Sequence, residues 1–239
     1  MFLGDQMTTL NHLYSRAFAL LAFVLALSVL PHGAQAQTTA FRQAVAEGAA
    51  RDEALAEFYR AREFEGIWTG STGRDRTRRN ALLAAFANAG DHGLPAAEYD
   101  PETLMARLQA AGTPAEKGAM EVEMSRLFLS YARDIQTGIL TPRSVVSEIR
   151  REVPLRSRLG YMQGFMASSP ASYLSSLPPS SPEYARLLRE KLALERLLSN
   201  GGWGATVTGG GLAPGSSGAG VIALRDRLVA MGYMDRSAT

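Results

Sequence analysis

Apolar residues recur three and four positions apart through most of the chain after about residue 50. This spacing places apolar side chains on one face of a helix, whereas a half-buried strand would alternate apolar and polar residues. No segment alternates strictly enough to predict a strand. The pattern predicts four long helices, over residues 51–64, 74–89, 115–136 and 181–199. The predicted fold class is therefore all-α.

Two of these helices carry apolar stripes that we expect to be buried. The stripe on 115–136 is formed by Met120, Met124, Leu127, Phe128, Tyr131 and Ile135. The methionines have the spacing of a buried helix face, so they are interpreted as core filling rather than as a metal site. The face predicted to be buried on 181–199 is formed by Tyr184, Leu187, Leu188, Leu194, Leu197 and Leu198.

Capping residues and prolines mark the shorter helices. Asp100 followed by Pro101 is typical of a helix start, and this helix should end near Gly112. Another short helix is predicted from Thr141 to about Arg151. Residues 152–180 contain four prolines and are predicted to be looser.

The last helix follows a glycine-rich turn and carries Val221, Leu224, Leu228 and Met231 at helical spacing. Gly232 stands where a left-handed C-cap is expected. One short helix cannot bury its apolar face alone, so the sequence looks unfinished at this helix. Residues 204–220 are rich in Gly, Ser and Thr and are predicted to be a linker.

Residues 1–36 have the pattern of a secretory signal peptide. Arg16 is followed by the apolar run 17–30, and Ala34-Gln35-Ala36 gives a small-x-small cleavage site. An uncleaved membrane anchor is the alternative, but the run is shorter than the roughly 20 residues that a spanning helix needs. We expect cleavage after Ala36, export to a bacterial periplasm, and no stable membrane span afterwards.

Charge and composition exclude several classes of function. The net charge is +2 with scattered arginines, which argues against a nucleic-acid partner. The chain contains no cysteine, which excludes disulfides, thiolate metal sites and a thiol nucleophile within it.

His92, in the predicted loop 91–100, and Trp68, in a short turn, are the residues that could carry chemistry. His92 could be a general base or a metal ligand, but it would be the only histidine after cleavage, so a structural role is favoured. Trp68 is interpreted as a core anchor, with a sugar-stacking platform as the alternative. Glu63 and Glu65 are two positions apart and do not face each other on a helix, so they are interpreted as a solvated face and a helix end.

No nucleophile elbow and no phosphate-binding loop is present in the sequence. We therefore assign no catalytic, cofactor-binding or metal-binding residue, and we expect no cofactor. The substrate-binding residues are left unassigned.

Several motifs, in order, resemble those of a known family. They are Phe58-Tyr59 with Trp68-Thr69, Ala89-Gly-Asp-His-Gly-Leu94 with Tyr99, Leu127-x-Leu-Ser-Tyr131 with Gly138, Leu177-Pro with Glu183-Tyr184, Leu187-Leu-x-x-Leu-Ala193, Gly201-Gly-Trp203, and Leu212-x-Pro-Gly followed by Leu224-Arg-x-Arg-Leu228. Together they resemble the N-terminal half of the large periplasmic L,D-transpeptidases, the murein cross-linking enzymes of the YcbB type. The resemblance covers residues 50–234.

The resemblance implies an order of domains and a biological context. It implies a helical scaffold domain at 41–203, the linker at 204–220, and at 221–239 the first helix of a truncated three-helix peptidoglycan-binding module. The family's catalytic YkuD-type domain uses a cysteine in a Ser-His-Gly-Cys motif, which no position here matches. Peptidoglycan, through glycan strands or stem peptides, is the expected partner, with other cell-wall synthesis proteins as further candidates.

Two main hypotheses follow. The first is that the chain is the scaffold portion of an L,D-transpeptidase, acting in peptidoglycan cross-linking and cell-wall biogenesis, and inert by itself. The second is a non-catalytic periplasmic scaffold or peptidoglycan-binding protein. An unrelated hydrolase that uses His92 or an acid pair is a third and weaker hypothesis.

Overall fold

The structure is a computed structural model that describes residues 32–148, 155–208 and 210–237, with side chains from residue 36 onward. This part of the chain contains helices and no strands, which confirms the predicted all-α class. The helices are α1 (His32–Ala49), α2 (Glu53–Arg60), α3 (Gly73–Ala87), α4 (Pro101–Ala110), α5 (Pro114–Thr137), α6 (Pro142–Val145), α7 (Arg158–Ala167), α8 (Pro170–Ser175), α9 (Pro182–Ser199) and α10 (Ala219–Ala230).

The central element is α5, the longest helix, and α1 packs closely along it. Small residues allow the two backbones to approach. A Cβ atom at Gly118 would lie 2.6 Å from the carbonyl oxygen of Phe41 and 2.8 Å from the Cβ of Ala44. Helix α1 was not predicted, because its apolar face consists largely of alanines rather than a stripe of large side chains.

The core is formed by α5 together with aromatic residues from several other elements. The ring of Trp68 lies 5.1 Å from that of Phe165 and 5.9 Å from that of Phe128, measured between ring centroids. Phe128 and Phe165 are 4.8 Å apart. Trp68 is completely buried, which confirms the prediction that it anchors the core.

The prediction that residues 152–180 are loose was wrong for most of this segment. Helices α7 and α8 lie within it, and they place Tyr161, Met162, Phe165 and Leu174 in the core. The prolines were interpreted as breaks in helical structure, but Pro170 begins α8. A proline in the first turn of a helix removes no hydrogen bond, because the N–H at that position has no partner within the helix.

The prediction of a buried face on α9 was also wrong. No residue of α9 is buried, and Leu187 and Leu198 are 71% and 62% exposed. Leu194 is exposed as well. The helix itself was predicted correctly, but within the described residues no other helix covers its apolar face.

Several predicted helix ends are confirmed. Asp100 accepts a hydrogen bond from the amide of Glu102 (2.9 Å), and Ser181 accepts one from the amide of Tyr184 (3.2 Å). Gly138 ends α5 with a positive φ of 80°. After α10, the amides of Gly232 and Tyr233 donate to the carbonyls of Val229 and Leu228, which is the hydrogen-bond pattern of a Schellman motif.

Two predicted helices are shorter in the structure. The helix predicted over 51–64 ends at Arg60, because Glu63 and Phe64 both have positive φ values, 52° and 60°. The helix predicted from Thr141 is a single turn, α6, and residues 149–154 lie outside the described part. The signal peptide prediction falls mostly on residues 1–31, which also lie outside it. Among the described residues no helix has the length and apolarity to cross a membrane.

Candidate functional site

A buried carboxylate organises the centre of the fold. Glu121 on α5 is completely buried, and its carboxylate accepts hydrogen bonds from three consecutive backbone amides. These donors are the amides of Ile67 (2.6 Å), Trp68 (3.0 Å) and Thr69 (2.9 Å). The Thr69 hydroxyl donates a further hydrogen bond of 3.0 Å. A loop that would otherwise bury unpaired amides is thus held by one side chain.

Two hydroxyl groups extend this network into the core. The Tyr59 hydroxyl donates to Glu121 Oε1 (2.9 Å) and also lies 2.6 Å from Ser125 Oγ. The indole Nε1 of Trp68 donates to Ser125 Oγ (2.8 Å). Because the Tyr59 proton is directed at the carboxylate, the Ser125 hydroxyl is left to donate to Tyr59. Burial and the adjacent carboxylate raise the pKa of Tyr59 well above its usual range.

This network, which we call the Glu121 cradle (Tyr59, residues 67–69, Glu121 and Ser125), is closed to substrates. Glu121 and Ser125 are fully buried, and the polar atoms that they present are already hydrogen-bonded. Ser125 is therefore not accessible as a nucleophile, and Glu121 is not accessible as a general base. The cradle is structural: it fixes the loop that follows α2.

The cradle also supports a strained turn. Residues Glu63 and Phe64 adopt left-handed backbone conformations, which cost non-glycine residues of order 1–3 kcal/mol each. The Phe64 amide donates to the Tyr59 carbonyl (2.8 Å), and Glu121 fixes the chain from residue 67 onward. A Cβ at Gly66 would lie 2.8 Å from Glu121 Oε2, so glycine is needed at this position. The turn that carries Arg62 is therefore held from both sides.

Arg62 lies in an open groove between α2 and α7. This groove, called here the Arg62 groove, has a volume of about 430 Å³ and is lined by Glu57, Phe58, Ala61, Arg62, Leu159, Gln163, Met166 and Ala167. The guanidinium carbon of Arg62 lies 5.7 Å from the centroid of the Phe58 ring, within range of a cation–π contact. Arg62 Nε is buried, and in the described part of the chain it has no hydrogen-bond partner.

Charges of both signs lie near Arg62. Burial lowers the pKa of Arg78; nearby Asp75 and Glu121 oppose this, while Arg62 and Arg74 lower it further. Arg78 pairs with Asp75 at 3.3 Å, whereas none of the ion pairs among the described residues includes Arg62.

His92 lies in a second groove, between the end of α5 and the start of α9. The groove has a volume of about 530 Å³, and Asp134, Gln136, Glu183 and Tyr184 are among its lining residues. His92 Nδ1 lies 2.5 Å from the Tyr184 hydroxyl, and the two rings are stacked. Burial lowers the pKa of His92, so the neutral imidazole is favoured. The contact joins α9 to the loop after α3.

The remaining candidates from the sequence are not brought together. Glu63 and Glu65 are both exposed, in agreement with their interpretation as solvated residues. Among the residues that the structure describes, no three His, Cys, Asp or Glu side chains form a group that could hold a metal ion.

Sequence reasoning missed Glu121, Ser125 and Arg62. A signal was present for the first two: both lie inside the apolar stripe of α5, one turn apart and close to Met120 and Met124. A polar pair within a buried helix face indicates an internal hydrogen-bond network. Arg62 gave no such signal, because its position depends on a turn that the helical pattern did not predict.

Comparisons with known proteins give one result. A family model described as "Scaffold domain" matches residues 53–192, which is more than half of the chain. No curated protein and no solved structure matches the chain significantly.

Proposed function

The chain belongs to the Scaffold domain family, and from this premise we propose that it is the scaffold portion of a periplasmic L,D-transpeptidase that acts in peptidoglycan cross-linking. Its role in cell-wall biogenesis is to hold peptidoglycan or partner proteins. The chain itself supplies no cysteine for acyl transfer. The single observation that carries the scaffold role is the family match. The transpeptidase and peptidoglycan parts of the proposal rest on the ordered motifs that resemble this enzyme family.

The geometry of the core supports a non-catalytic role. Its most prominent polar group, the Glu121 carboxylate, is fully buried and occupied in holding a loop. The two grooves, in contrast, lie at the surface and expose side chains that could bind a ligand. A packed helical core with surface grooves is an arrangement suited to a docking domain.

The second candidate is a non-catalytic periplasmic scaffold protein that is not part of a transpeptidase. The uncovered leucines of α9 favour it, because such a face is suited to a protein partner. Both candidates share an exported location, with signal cleavage proposed after Ala36.

The proposed function is tested by incubating the protein, purified after expression of the full chain, with isolated peptidoglycan. We expect the protein to pellet with the peptidoglycan and to leave its muropeptide composition unchanged. New cross-links or released fragments would show that the chain is catalytic. Failure to pellet would remove peptidoglycan as the partner and leave the protein-docking scaffold as the surviving candidate.

A further inference from the structure

A third groove, called here the Tyr131 groove, lies between α3 and α8. Its volume of about 300 Å³ is at the lower end of the range of roughly 300–1,000 Å³ that is typical of ligand pockets. Its walls consist mainly of small side chains, among them those of Ala81, Ala84, Ala85 and Ala171. No Asp, Glu, Lys or Arg is present among the described residues that line it. A charged ligand would lose hydration there without gaining a counter-charge, so a neutral ligand is favoured.

The Tyr131 hydroxyl gives this groove a hydrogen-bonding group without a partner. Tyr131 lies on α5, lines the groove and is only 3% exposed, and its hydroxyl forms no hydrogen bond with the described residues. The hydroxyl of Tyr99, by contrast, donates to Asp134 (2.6 Å). Within the described part of the chain, Arg62 Nε is the only fully enclosed side-chain atom that lacks a partner, so the Tyr131 hydroxyl is reachable from the groove. A ligand that brings an acceptor to it gains a hydrogen bond.

The groove is long enough for a short stretch of extended chain. Its lining residues on and just after α3 run from Ala81 to Asn88, two turns that span roughly 10 Å at about 1.5 Å per residue. Three residues of an extended peptide cover a similar length at about 3.3 Å per residue. Alanine side chains let a peptide backbone approach α3 closely, and the small volume leaves room only for small side chains on the ligand.

Asn88 supplies an acceptor that complements the Tyr131 hydroxyl. Its amide nitrogen donates to the Ala84 carbonyl (2.9 Å), which leaves the amide oxygen without a partner among the described residues. A peptide unit carries one donor and one acceptor and can therefore use both groups. A sugar fits less well: Tyr131 exposes almost none of its ring and the His92 ring is stacked on Tyr184, so little aromatic surface remains for stacking.

We propose that the Tyr131 groove binds an uncharged, extended peptide segment with small side chains, and that a peptide carbonyl accepts a hydrogen bond from the Tyr131 hydroxyl. The identification of this segment as part of peptidoglycan rests on the proposed function. The groove itself rests on the contacts around Tyr131 and on the neutral, alanine-rich lining.

The test is a titration of the ¹⁵N-labelled protein, followed by amide chemical shifts, with acetyl-trialanine amide and with acetyl-trialanine. These probes differ only in the terminal charge. We expect the neutral amide to shift backbone signals in α3 and α8, and we expect the acid to bind no more tightly than the amide. Tighter binding of the acid, or no shifts in these helices with the amide, would overturn the proposal.

Two pairs of variants locate the binding. Tyr131→Phe removes one hydroxyl without breaking a hydrogen bond to a described residue, and it should weaken binding by about two- to tenfold. Tyr161→Phe removes a hydroxyl that is bonded to Gln136 instead, and it should bind the peptide like the parent protein. Ala84→Leu fills the groove from an exposed position and should abolish binding, whereas Ala87→Leu, on the same helix but outside the lining, should not. Full binding in Tyr131→Phe or in Ala84→Leu would contradict the proposal.

A glycan site is the competing interpretation, and N,N′-diacetylchitobiose is the probe for it. This disaccharide should bind more weakly than acetyl-trialanine amide, and tighter binding would replace the peptide by a sugar. If acetyl-trialanine amide fails to bind while the protein still pellets with peptidoglycan, this inference fails and the proposed function stands. If the peptide binds but pelleting fails, the groove stands and its source in peptidoglycan does not.

Discussion

At the scale of single residues, the Glu121 carboxylate is the group on which the local structure depends most. Its two oxygens accept hydrogen bonds from three backbone amides and two hydroxyl groups. An acceptor-only group is required here, because every partner that faces it is a donor.

Glu121→Gln tests this requirement. The glutamine amide nitrogen would face donors instead of accepting from them, and each buried donor left without an acceptor costs about 1–3 kcal/mol. We expect a loss of about 3 kcal/mol in the free energy of unfolding, measured by urea denaturation.

Glu123→Gln is the matched control on the same helix. Glu123 forms an ion pair with Arg107 that is partly exposed to solvent, and such pairs contribute less than about 1 kcal/mol. Equal losses in the two variants would contradict a special role for the cradle.

Tyr59 makes the same network sensitive to alkaline pH. Its pKa in the folded protein is raised by burial and by Glu121, while its unfolded pKa is about 10. The contribution of Tyr59 to the free energy of unfolding is therefore fully present below about pH 10. It is lost as the pH rises toward the pKa of Tyr59 in the folded protein, with a slope of up to about 1.4 kcal/mol per pH unit for this group. Burial also raises the pKa of Tyr131, to about 12, which adds to the loss.

Urea denaturation above pH 10 measures this slope. In Tyr59→Phe the slope should be smaller than in the parent protein. An unchanged slope would mean that Tyr59 ionises equally well in both states.

At the scale of elements, the helices divide into a packed set and an uncovered one. Helix α5 buries Leu129 almost completely, whereas α9 buries none of its leucines. Periodicity cannot separate these cases, because an apolar stripe shows which face is ready to be covered and not whether anything covers it.

Alanine substitutions should show the difference directly. Leu129→Ala creates a cavity beside the aromatic core and should cost about 2–5 kcal/mol. Leu194→Ala makes the same chemical change on α9 and should alter stability by less than about 0.5 kcal/mol. Thermal unfolding of both variants measures the two effects. A large loss in Leu194→Ala would show that the α9 face is covered in solution.

The helices also show how much of the fold could be predicted from the sequence. Helices with large apolar side chains and clear caps, such as α5 and α9, were predicted within a few residues. Helix α1 was missed because it packs through alanine and glycine, and α7 and α8 were missed because prolines were taken as breaks. Within the candidate site only Trp68 and His92 were singled out from the sequence, since the positions of Glu121 and Arg62 depend on contacts between distant segments.

At the scale of the whole molecule, the core is built from residues between Val45 and Leu177. Residues 204–208 and 210–218 form turns and irregular backbone that is largely exposed. The division into a scaffold domain at 41–203 and a linker at 204–220 remains a prediction.

Limited proteolysis tests this division. The first cuts should fall within 204–220, since exposed backbone without regular hydrogen bonds is cleaved most easily. The buried helix α5 should be protected. Early cleavage within 115–136, identified by mass spectrometry of the fragments, would contradict the domain assignment.

The central claim, that this member of the Scaffold domain family holds peptidoglycan without acting on it, is tested most directly by a pelleting assay. Purified protein is centrifuged with intact peptidoglycan sacculi, with chitin, and alone. We predict that the protein pellets with sacculi, whereas it stays in solution with chitin, which lacks stem peptides, and in the absence of polymer. Protein that remains in the supernatant with sacculi would contradict the claim.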